Sequence, residues 1–235
     1  MANIKEVQIE TPDFIVGIPA GHLGYTTFWM HLIRWMANNP VMPIISESNR
    51  VDVNRSQIID AALKTKRNVL FLDHDALPMT AYPDVCKMLL EDFKTYDIVV
   101  APVRGMDGQI LVKPLTADFK FPQHSAEYLP FEIEAGSFTL AGISYNLLKQ
   151  LKPISHYGLV NGQEVPLYVQ YTNQTSEEYA FCKRAKKMYN SKIACDPRIK
   201  VAHYKTIPLQ PPFSQEELKE MSKQRQEQKE EPLKL

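Results

Sequence analysis

The sequence predicts an α/β fold: a doubly wound, mostly parallel sheet flanked by helices, with a smaller hairpin region on its open side. Three observations predict it. Apolar runs alternate with stretches of helical periodicity over residues 14–103. The runs are almost wholly apolar, as strands buried on both faces must be. The third run, Asn68-Val69-Leu70-Phe71-Leu72, ends in Asp73-His74-Asp75 and is closed by Ala76-Leu77-Pro78. Carboxylates spaced i and i+2 along an extended backbone fall on the same side. At the C-terminal end of a strand, where open α/β sheets bind ligands, such a pair suits Mg²⁺ or Mn²⁺ holding a diphosphate.

Phe14 to Ile18 reads as the first strand, ended by Pro19-Ala20-Gly21. A helix follows, because Phe28, Leu32, Trp35 and Met36 are spaced i, i+4, i+7 and i+8 on one face. Trp29 and Trp35 read as core rather than as a sugar-stacking platform. Pro43 to Ser48 is the second strand. The second helix runs from about Asn54 to Thr65 and buries Ile58, Ile59, Ala62 and Leu63. After the strand that bears the carboxylates come a helix over Tyr82 to Lys94 and a strand over Asp97 to Val103. Gly105 to Pro130, rich in Pro, Gly, Gln and Lys, reads as loop and hairpin with a strand at Gln109 to Val112. Phe131 to Leu140 reads as one strand, Tyr145 to Leu151 as a short helix, Ser176 to Tyr189 as a helix, and Lys192 to Tyr204 as extended chain.

Two parts of unlike character divide the chain. Residues 1–207 form the predicted globular domain. Residues 208–235 form a proline linker and a polar tail, helical or disordered, in which Ser214 and Glu217 make a capping box but apolar anchors are few. The tail reads as solvated; docking on a partner or a membrane surface is the second reading. Formal net charge is +0, so no basic excess points to nucleic acid. Cys86, Cys182 and Cys195 lack metal-ligand spacing and read as reduced thiols. With no signal-like start and no apolar span of bilayer length, the expected location is cytoplasmic, or peripheral to a membrane through the tail.

Over most of residues 14–204 the chain resembles the GT-A class of glycosyltransferases, particularly family-2-like members. Ile15-Val16-Gly17-Ile18-Pro19 is similar to the opening strand, and Asn54-Arg55 with Ala61-Ala62-Leu63 to the helix before the signature. Leu70-Phe71-Leu72-Asp73-His74-Asp75 resembles the signature itself. Glu177-Glu178-Tyr179-Ala180-Phe181-Cys182, then Asp196-Pro197 and Val201-Ala202-His203, resembles the segment that follows. The resemblance implies a glycosyltransferase that uses a nucleotide-diphosphate sugar, a divalent metal and a hydroxyl acceptor on a glycan, protein, lipid or small molecule.

It also implies roles. Asp75 is the direct metal ligand, and Asp73 touches the ribose or reaches the metal through water. His203 supplies a third ligand, and as an imidazole it suits Mn²⁺ better than Mg²⁺; otherwise it is a structural histidine. Glu178 stands where a carboxylate would take the acceptor proton as general base, although Glu replaces the usual Asp. Glu177 is adjacent, and helical neighbours point about 100° apart, so only one is expected to face the site. Pro19, Ala20, Gly21 and His22 form the loop that meets the nucleobase, and His74 touches the base or packs in the sheet. Arg55 favours a phosphate or carboxylate at its helix start, or an ion pair with Asp52 or Asp73. Gly136 to Gly142 resembles the glycine-bearing segment beside the acceptor pocket. Two other readings stay open. One is a haloacid-dehalogenase-like phosphatase, with Asp73 as nucleophile and Asp75 as acid/base. The other is a non-catalytic nucleotide-binding protein on the same fold.

Overall fold

In the computed structural model residues 13–20, 26–37, 39, 41–48, 50–105, 109–116, 129–160, 163–173 and 175–203 are described. The first half runs β1 (Phe14–Ala20), α1 (Thr26–Met36), β2 (Met42–Glu47), α2 (Val51–Thr65), β3 (Asn68–Leu72), β4 (Ala76–Pro78), α3 (Tyr82–Asp92) and β5 (Ile98–Val100). The second runs β6 (Val112–Pro114), β7 (Phe131–Gly136), β8 (Leu140–Ile143), α4 (Tyr145–Leu148), β9 (Ile154–Val160), β10 (Gln163–Leu167), α5 (Glu177–Tyr189), β11 (Ile193–Cys195) and β12 (Val201–His203). These residues lie within one compact unit, Met1–Tyr204. The tail over 208–235 lies outside the described residues. Among the described residues no helix is long and apolar enough to cross a membrane.

Strand alternation divides the core in two. Phe14, Val16 and Ile18 of β1 and Leu70 and Leu72 of β3 face Phe28, Leu32 and Trp35 of α1 and Val85 and Leu89 of α3. Ile15, Val69 and Phe71 face the other way, toward Ile58 and Ala62 of α2, Leu147 and Leu148 of α4, and Phe181 and Cys182 of α5. Such two-sided burial is why the strands read as unbroken apolar runs. Each fully buried Leu, Ile or Phe contributes about 1.5–3 kcal/mol. The close approach of α2 to β1 depends on Gly17, where an added Cβ would lie 2.3 Å from Ile58 Cγ2.

The main sheet has eight strands in the order β2-β1-β3-β8-β5-β11-β7-β6. β1, β2, β3, β5, β6 and β11 run one way, and β7 and β8 run against them. The expected doubly wound sheet is therefore present, mixed by β8, which lies antiparallel between β3 and β5. This placement breaks the single strand expected over Phe131 to Leu140. The chain leaves β7 beside β11, turns at Ser137-Phe138-Thr139, and enters the sheet centre as β8.

Other differences are local. α2 starts at Val51, three residues before the expected Asn54, from Arg50 in extended conformation (φ −121°, ψ 112°). Extended chain expected over Lys192 to Tyr204 divides at Asp196, whose side chain accepts from the Arg198 backbone N–H (2.9 Å) and turns the backbone toward β12. β12 then pairs antiparallel with β4, outside the main sheet. The β9–β10 hairpin also forms its own two-stranded sheet, in a region whose sequence gave no strand signal.

Candidate functional site

Three consecutive residues of α2 tie together the ends of several strands. Asn54 Nδ2 donates to the carbonyls of Ala20 (3.1 Å) and Ser48 (3.2 Å), and the Ser46 hydroxyl donates to Asn54 Oδ1 (3.0 Å). Those bonds hold the C-terminal ends of β1 and β2 against α2. Ser56 Oγ accepts the backbone N–H groups of Tyr168 (3.0 Å) and Val169 (3.1 Å), which fixes the chain after β10.

Between them Arg55, 2% exposed, enters the centre of the site. Its guanidinium donates to Asp73 Oδ1 at 2.9 Å, bonds Glu177, and lies 3.5 Å from Glu178 Oε1. The rings of Phe71 and Phe138 flank it, with centroids 6.0 and 5.5 Å from Cζ. Of the two ion-pair partners open in the sequence, Asp73 is the one that meets Arg55; Asp52 pairs with Arg50 at 2.6 Å. Both glutamates at the start of α5 turn to Arg55, although their backbone directions differ by about 100°. One buried cation draws both flexible side chains. Glu177 was not among the site residues expected from sequence, and its only signal was a second acid in the first turn.

Burial alone would lower the Arg55 guanidinium, but Asp73, Glu178 and Glu177 outweigh it and hold Arg55 above its ordinary range. Burial raises the Asp73 carboxyl; Arg55 opposes this, while Glu178 and Asp75 add to it. Glu177 is raised by burial as well. Glu178 goes the other way. Burial would raise it, but Arg55, the Ser176 hydroxyl and the backbone N–H groups of Glu178 and Phe138 hold it below the usual carboxylate range. The Ser137 hydroxyl also donates to Glu178 Oε1 (3.3 Å). The turn between β7 and β8 thus borders the cluster, within the Gly136 to Gly142 segment that the resemblance set beside the acceptor pocket.

Asp73 and Asp75 part company at a turn. The Ala76 N–H donates to the Asp73 carbonyl (3.0 Å), so residues 73–76 are not extended and strand alternation does not set the two carboxylates. The Asp73 N–H is bound by the Thr139 carbonyl (3.0 Å), and its side chain turns to Arg55. Asp75 instead meets His203, with 3.0 Å between Oδ2 and Nε2. The β4–β12 pairing sets that contact, since His203 lies opposite Ala76 in the register. His203 Nδ1 lies 3.3 Å from the Arg104 carbonyl. His74 Nδ1 lies 3.4 Å from the Pro19 carbonyl, which brings it to the end of β1 beside Ala20. Gly21 and His22 lie outside the described residues.

Among the described residues no group of three or more His, Cys, Asp or Glu side chains is arranged to hold a metal ion. The pair Asp75–His203 does offer two donor atoms. Nδ1 faces the Arg104 carbonyl and Nε2 faces the Asp75 carboxylate, so a cation would take the place of the proton between Nε2 and Oδ2. Their 3.0 Å separation matches the edge of an octahedron with bonds of about 2.1 Å. A hard cation that takes its other ligands from phosphates and water fits this pair. Asp73 is engaged by Arg55 and is not grouped with them.

The fold is a mostly parallel sheet flanked by helices, as the sequence resemblance implies, with its Asp-His-Asp turn at the C-terminal end of β3. Among solved structures, A197 from STIV is similar in fold at a TM-score of 0.57 and 18% identity, covering 83% of this chain and 86% of that one. More distant likenesses include GalNAc-T7 with UDP, GalNAc and Mn²⁺ (TM-score 0.41, 13% identity, 77% of this chain, 35% of that one). Another is S. aureus TarS 1-349 (TM-score 0.45, 13% identity, 82% of this chain, 60% of that one). No protein-family model matches the chain, and no curated protein sequence matches it significantly.

Proposed function

We propose that this protein is a metal-dependent glycosyltransferase that moves a sugar from a nucleotide-diphosphate donor to a hydroxyl acceptor. The observation that carries the proposal is the Asp75–His203 pair, 3.0 Å apart beside the buried Arg55–carboxylate cluster. A divalent cation, Mn²⁺ or Mg²⁺, would neutralise the diphosphate as it departs. Asp75 and His203 would hold that cation, Asp73 would meet the ribose or a metal-bound water, and Pro19, Ala20, Gly21, His22 and His74 would border the base. Arg55 is spent on carboxylates; its part is to set Asp73, Glu177 and Glu178 in place.

Glu178 would accept the acceptor's hydroxyl proton. Its depressed range keeps it ionised at neutral pH, and the N–H of Phe138 and the Ser137 hydroxyl orient it. The phosphatase reading needs Asp73 free to attack, whereas its Oδ1 is held by Arg55. The non-catalytic reading keeps one supporting observation: the proposed base is itself 3.5 Å from Arg55.

Calorimetry with UDP or GDP and Mn²⁺, followed by donor hydrolysis and transfer assays, tests the proposal. Nucleotide binding that disappears on chelation, together with hydrolysis of at least one donor, is expected. Metal-dependent binding without any turnover across a donor and acceptor panel would favour the non-catalytic protein, and no binding at all would overturn both.

A further inference from the structure

We propose that the cavity between α5 and residues 168–172 is a second binding site, for a small carboxylate with an apolar body, and that Arg184 is its counter-charge. The cavity holds about 270 Å³ and is half-enclosed; Ile154, Tyr168, Thr172, Ala180, Phe181 and Arg184 line it. It shares no residue with the Asp75–His203 pair and does not depend on glycosyl transfer.

The case begins with an incomplete cation. One Arg184 amino group donates to the Tyr168 carbonyl, and the guanidinium lies over the Phe181 ring, 5.6 Å from its centroid. Burial lowers the guanidinium; among the described residues the one resolved opposing influence is Tyr189, and no carboxylate pairs with Arg184. A guanidinium that lines a cavity without a paired carboxylate is costly, and a carboxylate bound there supplies the opposite charge. A phosphate dianion fits worse, since one guanidinium cannot neutralise it and the apolar walls offer few other donors.

Shape narrows the ligand further. The volume falls just below the roughly 300–1,000 Å³ of sites for drug-sized molecules, so the body is the size of one ring or a short chain. The floor is preformed, because Ser56 pins Tyr168 and Val169. Glu177, Ala180, Phe181 and Arg184 recur at i, i+3, i+4 and i+7 on one face of α5. Arg184 therefore lies about 10 Å along α5 from Glu177, out of reach of the carboxylates that Arg55 holds.

Benzoate, benzamide and benzamidinium have nearly one shape and three charges, which makes them matched probes. They are titrated into the isotope-labelled full chain and followed by amide NMR. Benzoate should give saturable shifts at Thr172, Ala180 and Arg184. Benzamide should bind about tenfold or more weakly, a difference of about 1.4 kcal/mol or more, and benzamidinium not at all. Arg184→Gln should lose the benzoate preference by a similar factor. Ala180→Leu, which keeps the charge and fills the space, should abolish the shifts. Neither variant should alter Mn²⁺-dependent nucleotide binding, so the two proposals fail separately. Equal affinity for benzoate and benzamide, shifts that do not saturate, or benzoate affinity unchanged in both variants would overturn the site.

Discussion

Asp73 and Asp75 are two residues apart and live in different regions of the molecule. Asp73 belongs to a buried knot in which one arginine from α2 holds three carboxylates from β3 and α5. Asp75 belongs to a two-stranded ribbon, where β12 swings His203 against it. In the knot one buried cation answers the carboxylates; in the ribbon a carboxylate meets an imidazole, two groups that can both ligate a metal. The difference teaches that the motif joins two functions. Its first aspartate locks the sheet to its helices, and its second meets His203, the pair proposed to hold a cation.

The sharpest way to break the comparison is to remove the centre of the knot. Arg55→Met leaves Asp73, Glu177 and Glu178 buried without their cation. Breaking such a buried arrangement costs about 3–5 kcal/mol, a large part of the roughly 5–15 kcal/mol that holds a domain folded. A clear fall in the urea midpoint is expected, and a midpoint unchanged from wild type would show that the knot contributes no stability.

Separating the two aspartates comes next. Asp75→Ala should leave stability within about 1 kcal/mol and weaken Mn²⁺-dependent nucleotide binding by about 100-fold or more, beyond the 10–100-fold typical of outer-sphere losses. Asp73→Ala should act mainly on the fold, lowering the unfolding free energy by about 1–3 kcal/mol because an Arg55 donor loses its acceptor, and should weaken nucleotide binding less than Asp75→Ala does. Calorimetry and denaturation on both variants decide it. If Asp75→Ala unfolds the protein, or leaves nucleotide binding intact, the outward role is wrong.

A third acid cluster serves as a control for buried carboxylates that share an arginine. Asp92, at the end of α3, and Asp196, after β11, both bond Arg198, while Asp92 Oδ2 finds no donor. Burial, then Asp196, pushes the Asp92 carboxyl up to about 7. A folded value raised above the unfolded one gives stability that is full below the unfolded pKa of roughly 3.9 and lost as pH rises through the folded one. Wild-type protein should therefore lose on the order of 1–2 kcal/mol between about pH 5 and 8 from this group. Asp92→Asn should flatten that slope in thermal melts. A slope that persists in the variant would assign it elsewhere.

Much of the scaffold was legible because it rests on local pattern. Phe14 to Ile18 and Asn68 to Leu72 are buried on both faces, and an unbroken apolar run is what such burial demands. Asp73 and Asp75 were singled out by their place after an apolar run, and Asn54, Arg55, Glu178 and His203 by the resemblance to a family pattern. What stayed hidden depends on pairings between distant segments. Nothing local says that Leu140 to Ile143 must leave β7 and enter between β3 and β5. The β4–β12 ribbon, which sets His203 against Asp75, needs two three-residue strands about 120 positions apart. The assumption of an extended Asp73-His74-Asp75 failed because the Ala76 N–H closes a turn on the Asp73 carbonyl, just where the Asp73 N–H makes its bond to Thr139 of the β8 side.

Glu178 tests the comparison most finely, because it sits in the knot yet is the group proposed to act on the acceptor. Its depressed range means that it adds stability above the unfolded carboxylate value of roughly 4.3, and that this is lost as pH falls through the folded value. Asp73 and Glu177, both raised, contribute in the opposite direction, with stability lost as pH rises through their folded values. Glu178→Gln keeps an acceptor for the Ser137 hydroxyl and the Phe138 N–H but removes the charge. It should cost about 1 kcal/mol at pH 7 and progressively less as pH falls through the folded value, so the melting curves of variant and wild type converge in acid. The same variant should bind donor nucleotide normally and transfer poorly. Full transfer would confine Glu178 to the knot, as a third structural carboxylate beside Asp73 and Glu177. A stability difference constant with pH would show instead that Arg55 does not hold it ionised, and that the knot ends at Asp73 and Glu177.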